Sequence, residues 1–203
     1  MNREILFPTP VYWKDLPNAK ELNKYLFKHI KAWYKNDIKK GKPTGEFKTN
    51  SGFGWHSSTD MNQRKEYEPL TSELFKMAEE CNKDYGVQPK LGLGNMWANI
   101  NPPGGYNAPH IHPNSLFSGV YYIKAPKESG SLVCNDPRPG VQLNMPVRKP
   151  GKPPKELWRE VHLEPKEGRI IMFPFYLWHN VEPNLSNDIR ISVSFNFIQD
   201  GFQ

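Results

Sequence analysis

Between Asn18 and Asp37 the apolar residues Leu22, Leu26, Ile30 and Trp33 recur every three or four positions among lysines and asparagines, which predicts an amphipathic helix. A second helical stripe runs from Pro69 to Tyr85 through Leu70, Leu74, Met77, Ala78 and Cys81. Pro69 suits its first turn and Gly86 its end. Gly41 to Asp60, with five glycines or prolines and no sustained apolar period, reads as a long loop. The opening segment Ile5 to Trp13 reads as a strand. After Gln88 the pattern changes to short β-branched or aromatic runs separated by turn residues: Leu91 to Ile100, Ser115 to Lys124, Gly130 to Cys134, Trp158 to Leu163, Arg169 to Phe173 and Ile189 to Ile198. In the last of these, Ile189, Ile191, Val193, Phe195 and Phe197 share one face. Arg190, Ser192, Ser194 and Asn196 share the other, a polar face suited to lining a cavity.

Two helices followed by at least six strands predict an α+β domain in which the helices buttress one sheet of a β sandwich or jelly roll. At 203 residues one domain, 1–203, is expected, with helical support and a glycine-rich loop in 1–87 and the β core in 88–203. Pro137 to Lys155 interrupts the strands with six prolines and is placed to cover a site. Only two cysteines, Cys81 and Cys134, are present, which excludes a disulfide scaffold and fits buried thiols in a reducing compartment. The first residues lack the apolar core of a secretory signal, and no run approaches the roughly 20 apolar residues of a membrane span. A soluble, cytoplasmic protein is expected. The net charge of +6 is spread over scattered lysines and reads as a solvated surface, so neither a membrane nor a nucleic acid is an expected partner.

The local sequence richest in chemistry is Asn107-Ala-Pro-His-Ile-His-Pro-Asn-Ser. His110 and His112 stand two apart, so in an extended segment their imidazoles point the same way. His179 follows a later strand, and sheet pairing has to bring it back to them. Imidazole suits iron, zinc, copper and nickel, and three protein ligands with open positions are what a catalytic metal needs. Asp136, at the end of the strand through Cys134, is an additional candidate ligand. Arg190 sits within an apolar strand, where a guanidinium is costly unless it meets an anion. An ion pair with Asp188 or Glu182, a position at the exposed end of the strand, or a carboxylate socket shared with Ser192 satisfies it.

These residues, in this order and spacing, resemble the 2-oxoglutarate/Fe(II)-dependent oxygenases, in the prolyl-4-hydroxylase-like branch, and look closest to the small oxygenases of phages and marine bacteria. The resemblance rests on Leu6-Phe-Pro-Thr-Pro-Val-Tyr, Gly52-Phe-Gly-Trp-His-Ser, Pro109-His-Ile-His-Pro-Asn-Ser, Ser118-Gly-Val-Tyr-Tyr-Ile, Asn135-Asp-Pro-Arg, Gly168-Arg-Ile-Ile-Met-Phe-Pro, Trp178-His and Arg190-Ile-Ser-Val-Ser-Phe-Asn. It implies a double-stranded β-helix of the jelly-roll or cupin kind, with Fe(II), 2-oxoglutarate and O2 as cofactors and co-substrates. His110 matches the first metal ligand of a His-x-Asp...His triad and His179 the last. Arg190 matches the arginine that pairs with the 5-carboxylate of 2-oxoglutarate, with Ser192 completing Arg-x-Ser and Tyr122 matching a tyrosine that reaches the same carboxylate. His112 stands where the family has aspartate. A three-imidazole site of His110, His112 and His179 is the preferred expectation, with Asp136 as the alternative third ligand, or water in that place.

The resemblance further implies a hydroxylase that releases succinate and CO2 while acting on a protein or peptidyl side chain, prolyl among them, or on a small molecule. Trp55, His56 and Arg138 are candidates for substrate contact or lid, while Trp55 serves equally as a core anchor. Two other readings remain open at this point. A cupin-type metal dioxygenase without 2-oxoglutarate also suits three histidines, and a non-enzymatic β-sandwich binding module needs no metal.

Overall fold

The computed structural model describes residues 1–41, 54–86, 90–140 and 150–199. Its two helices are α1 (Ala19–Lys39) and α2 (Glu68–Tyr85). The stripe anticipated on each is the face it buries: Leu26, Ile30 and Trp33 on α1, and Leu70, Leu74, Met77, Ala78 and Cys81 on α2. Each fully covered leucine or isoleucine contributes on the order of 1.5–3 kcal/mol. Pro69 lies in the first turn of α2, and Gly86 ends it in the left-handed conformation, φ 70°, where a side chain would be strained.

Ten strands are described: β1 (Tyr12–Asp15), β2 (Trp55–His56), β3 (Leu91–Asn101), β4 (Asn107–His110), β5 (Phe117–Lys124), β6 (Leu132–Asn135), β7 (Glu160–Leu163), β8 (Arg169–Pro174), β9 (His179–Val181) and β10 (Arg190–Gln199). They form two antiparallel sheets, a large one ordered β1-β8-β5-β10-β3-β2 and a small one ordered β4-β9-β6-β7. The large sheet has two different faces because its side chains alternate. Met96, Ala98, Ile100, Tyr121, Ile191, Val193 and Phe195 join the helices in the main core. Tyr122, Ile171 and Phe173 face the other way and meet Leu132 and Cys134 of the small sheet. The polar face foreseen on β10 is on this inner side, between the sheets. Cys81 and Cys134 are free and buried.

Two features differ from expectation. The opening strand is shorter and later than its apolar pattern suggests. Residues 1–11 form no strand, since Pro8 and Pro10 donate no ladder hydrogen bond, and pairing with β8 begins only at Tyr12. Two strands of the small sheet, β4 and β9, are too brief to register as apolar runs. Most of the loop read over Gly41 to Asp60 (42–53), and the centre of the covering segment read over Pro137 to Lys155 (141–149), lie outside the described residues. No helix among the described residues is long and apolar enough to cross a membrane.

Candidate metal centre

Sheet pairing brings the three histidines together. β4 pairs with β9 so that His110 and His179 are direct cross-strand partners. The register slips between Asn107 and His110, a bulge at Ala108 and Pro109 where the proline has no N–H to give. Bulges of this kind re-aim the next side chain. His112 lies just beyond the strand, its N–H donating to the Phe175 carbonyl at 3.2 Å. One ring nitrogen from each of His110, His112 and His179 falls within 4.8 Å of the other two.

The tautomers are set from behind. His110 Nδ1 lies 2.8 Å from the Ala108 carbonyl, and His179 Nδ1 lies 2.8 Å from the Leu177 carbonyl. A carbonyl only accepts, so Nδ1 carries the proton in each ring and Nε2 presents a lone pair. His112 Nε2 and His179 Nε2 are 3.2 Å apart. Two nitrogens at about 2.1 Å from one cation stand roughly 3.0 Å apart at a right angle and roughly 3.4 Å apart at the tetrahedral angle, so this pair already has ligand spacing. Burial is the main cause that lowers the basicity of all three imidazoles; the His110 ring adds to it at His112, and the His110 and His112 rings add to it at His179, taking His112 to about 4 and His179 to about 3. They are neutral, ligand-competent imidazoles at pH 7.

The histidines line a narrow cavity of about 60 Å³ between the sheets, together with Arg190, Ser192 and Tyr122. Arg190 is 1% exposed. It is in neither of the ion pairs considered for it. Asp188 pairs with Lys124, and the Glu182 carboxylate receives the Ser131 N–H and faces His162. Nη1 of Arg190 instead donates to the main-chain carbonyls of Ser129, Gly130 and Glu182, while Nη2 is buried without a partner among the described residues. Ser192 shares its face, and Tyr122 is the cross-strand neighbour of Ser192. Burial pushes the Tyr122 phenol up to about 12, so its hydroxyl is a neutral donor at physiological pH.

Other candidates are placed elsewhere. The Asp136 carboxylate is outside the converging group and is held by Arg138, whose Nε and Nη2 reach it at 2.9 and 2.5 Å. Both side chains are occupied by that pair. Of the two readings of Trp55, substrate contact and core anchor, its surroundings are those of the core. It is 4% exposed, packs against Trp33 and Tyr34, and donates from Nε1 to Asp37 at 3.3 Å. Alternation along the short strand β2 sends His56 to the opposite face, where it stacks on Trp97 with ring centroids 5.4 Å apart. Trp97 in turn lies 6.2 Å from the His112 ring and lines the cavity with Asn99 and Ser194, which hydrogen-bond each other at 3.1 Å. Ser194 belongs to the polar face read on β10, whereas Trp97 and Asn99 were not picked out from the sequence. The alternation Asn95, Trp97, Asn99, Asn101 against Met96, Ala98, Ile100 in β3 carried the signal.

Residues 95–196 match the family described as "Putative 2OG-Fe(II) oxygenase". No protein with a curated description matches the sequence. Among solved structures, a prolyl-4-hydroxylase of Pseudomonas putida is 14% identical with a TM-score of 0.61, covering 94% of this chain and 93% of its own. A prolyl hydroxylase of Trichoplax adhaerens, in complex with a hypoxia inducible factor oxygen degradation domain peptide, is 11% identical with a TM-score of 0.64, covering 93% and 83%. A non-heme alpha-ketoglutarate-dependent epimerase of nogalamycin biosynthesis is 14% identical with a TM-score of 0.62, covering 92% and 78%. At these identities the likeness concerns the fold, which is the double-stranded β-helix.

Proposed function

The chain belongs to the 2OG-Fe(II) oxygenase family, and from that premise we propose that His110, His112 and His179 hold its iron and that Arg190, Ser192 and Tyr122 hold its 2-oxoglutarate. One observation carries the assignment: imidazole nitrogens converge in a cavity that also contains a buried guanidinium with no anionic partner among the described residues. The donor set fits the metal, because neutral imidazoles at this spacing suit Fe(II), and the Nδ1 bonds of His110 and His179 keep those two rings from turning. It fits the co-substrate, because Nη2 of Arg190 can donate to a carboxylate beside the hydroxyls of Ser192 and Tyr122.

When bound, Fe(II) with 2-oxoglutarate and O2 supplies the oxidising chemistry: 2-oxoglutarate leaves as succinate and CO2, and one oxygen atom enters a C–H bond of the substrate. The protein's own part is positioning. Arg190 draws one end of the co-substrate into the barrel, so that its oxo-acid end is directed toward the histidines. The apolar lining from Phe173 and Leu132 keeps water from the space between them. Three imidazoles in place of two and a carboxylate leave the centre one charge more positive.

The cavity is narrow, so the substrate to be oxidised lies at its rim, over Trp97 and His56, rather than within the barrel. A flat aromatic surface beside the metal suits a peptide side chain such as proline, and we assign the chain to hydroxylation of a peptidyl substrate. Incubation of Fe(II)-loaded protein with 2-oxoglutarate and a proline-containing peptide library tests this. Succinate is expected in step with peptide that has gained one oxygen atom. Oxygen uptake without succinate favours the cupin-type alternative and overturns the co-substrate assignment. Stoichiometric metal that survives His110→Ala and His179→Ala overturns the metal assignment.

A further inference from the structure

Arg190 is oriented without being neutralised. A carbonyl oxygen bears only a partial negative charge, so the three that receive Nη1 fix the guanidinium in place, and no carboxylate among the described residues neutralises it. Two of these carbonyls belong to the turn Ser129–Gly130. The third belongs to Glu182, at the end of β9. The two segments are bolted together from the far side. Glu182 N–H donates to the Ser131 carbonyl at 3.0 Å, and Ser131 N–H donates to Glu182 Oε2 at 3.0 Å. The Glu182 carboxylate, one of the two acids considered for Arg190, is thus engaged by Ser131 and His162 and holds the turn that carries the partners of Arg190.

Gly130 makes the close approach possible. Its φ is +89°, and a Cβ there would stand 2.3 Å from the Glu182 carbonyl oxygen, 2.8 Å from that of Pro183 and 2.9 Å from Arg190 Nη1. Any side chain would displace two members of the clamp at once.

We propose that Gly130 and the Glu182 carboxylate are positioning residues for the co-substrate: they fix the turn whose carbonyls hold Arg190 Nη1, leaving Nη2 for the 5-carboxylate of 2-oxoglutarate. The proposal rests on Arg190 being the anchor for that carboxylate. A carboxylate side chain in the same place would orient Arg190 equally well but would neutralise it and compete with the incoming anion. Main-chain carbonyls give the orientation alone.

The test measures 2-oxoglutarate binding by calorimetry under argon on Mn(II)-loaded protein, alongside kcat and KM in the succinate assay, for Glu182→Ala, Glu182→Gln, Gly130→Ala and Arg190→Ala. Loss of one positioning hydrogen bond is expected to weaken binding about five- to tenfold in Glu182→Ala, seen as raised KM with kcat at saturation nearly kept. Glu182→Gln retains an acceptor for the Ser131 N–H and should return binding to within about twofold of the parent. Gly130→Ala should lose about tenfold or more, and Mn(II) affinity should stay the same throughout. Unchanged 2-oxoglutarate affinity in Glu182→Ala overturns the clamp, even if thermal stability falls, because a merely structural role lowers Tm without touching affinity. If Gly130→Ala does not fold, the Glu182 pair still decides. If Arg190→Ala itself binds 2-oxoglutarate normally, it is the anchor assignment that fails.

Discussion

Lowering the pH from about 7.5 to about 5.5 is a direct probe of the three histidines, because protons and a metal ion compete for the same nitrogen lone pairs. An ordinary imidazole with a pKa near 6.5 is roughly ten parts protonated to one part neutral at pH 5.5. Two such ligands cost about a hundredfold in metal affinity and three about a thousandfold. In the folded chain burial is the main cause of lowered basicity, with His112 at about 4 and His179 at about 3, and His110 shifted the same way. The sign follows from the lowered values: the neutral form persists as the pH falls, and protons compete only near the folded pKa. Metal affinity is therefore expected to fall by less than about tenfold across this interval, against the roughly thousandfold of three ordinary imidazoles. Stability of the metal-free fold should move differently. In the unfolded chain these histidines take up protons from about pH 6.5 downward, so stability present above that pH declines as the pH falls toward the folded values. Titration with Co(II), followed by its visible absorption bands, measures the first, and urea unfolding of the apo protein the second. A hundredfold loss of Co(II) affinity at pH 5.5 would mean that the imidazoles are open to solvent and that the buried site described here is wrong.

Other substitutions separate the roles of neighbouring residues. Trp55→Ala should destabilise the fold by about 3–5 kcal/mol, read as a lower urea midpoint, while the affinity for 2-oxoglutarate in the folded protein is kept; selective loss of substrate turnover at full stability would return Trp55 to the site. Asp136→Ala should leave one metal per chain, because its carboxylate is engaged by Arg138, whereas His112→Ala should sharply weaken metal binding; the reverse outcome would place Asp136 in the metal shell. Tyr122→Phe removes one buried donor beside Arg190 and should raise KM for 2-oxoglutarate about fivefold without changing metal affinity, whereas an unchanged KM would mean that the phenol does not reach the co-substrate.

Side-chain pattern made much of this protein legible before its fold. The 3.6-residue period located α1 and α2 to within two residues at each end, because each helix has one buried stripe. The period of two in β10 separated the helix-facing residues from the polar face that now lines the cavity. His110, His112, His179 and Arg190 were nameable because imidazole and guanidinium are unusual in such surroundings. Trp55 and His56 were not separable. They are neighbours on a two-residue strand, and which one faces the core depends on the register with β3, pairing Trp55 with Ile100 and His56 with Asn99, which no local pattern reports.

What the sequence conceals most completely is the surrounding of Arg190. Its guanidinium looked as though it needed a carboxylate, and both nearby acids, Asp188 and Glu182, were reasonable partners by distance along the chain. The fold uses main-chain carbonyls instead, and every residue has one, so no residue type marks them. The only trace in the sequence is a glycine, and Gly130 becomes informative once its positive φ and its closeness to Arg190 Nη1 are known. The same holds for His110 and His179, whose tautomers are fixed by the carbonyls of Ala108 and Leu177, two residues before each. Side chains thus declare which chemistry is available. The backbone decides which nitrogen of each ring is bare and which arm of the arginine is free, and substitutions that move only the backbone should therefore reach the site as surely as those that remove its ligands.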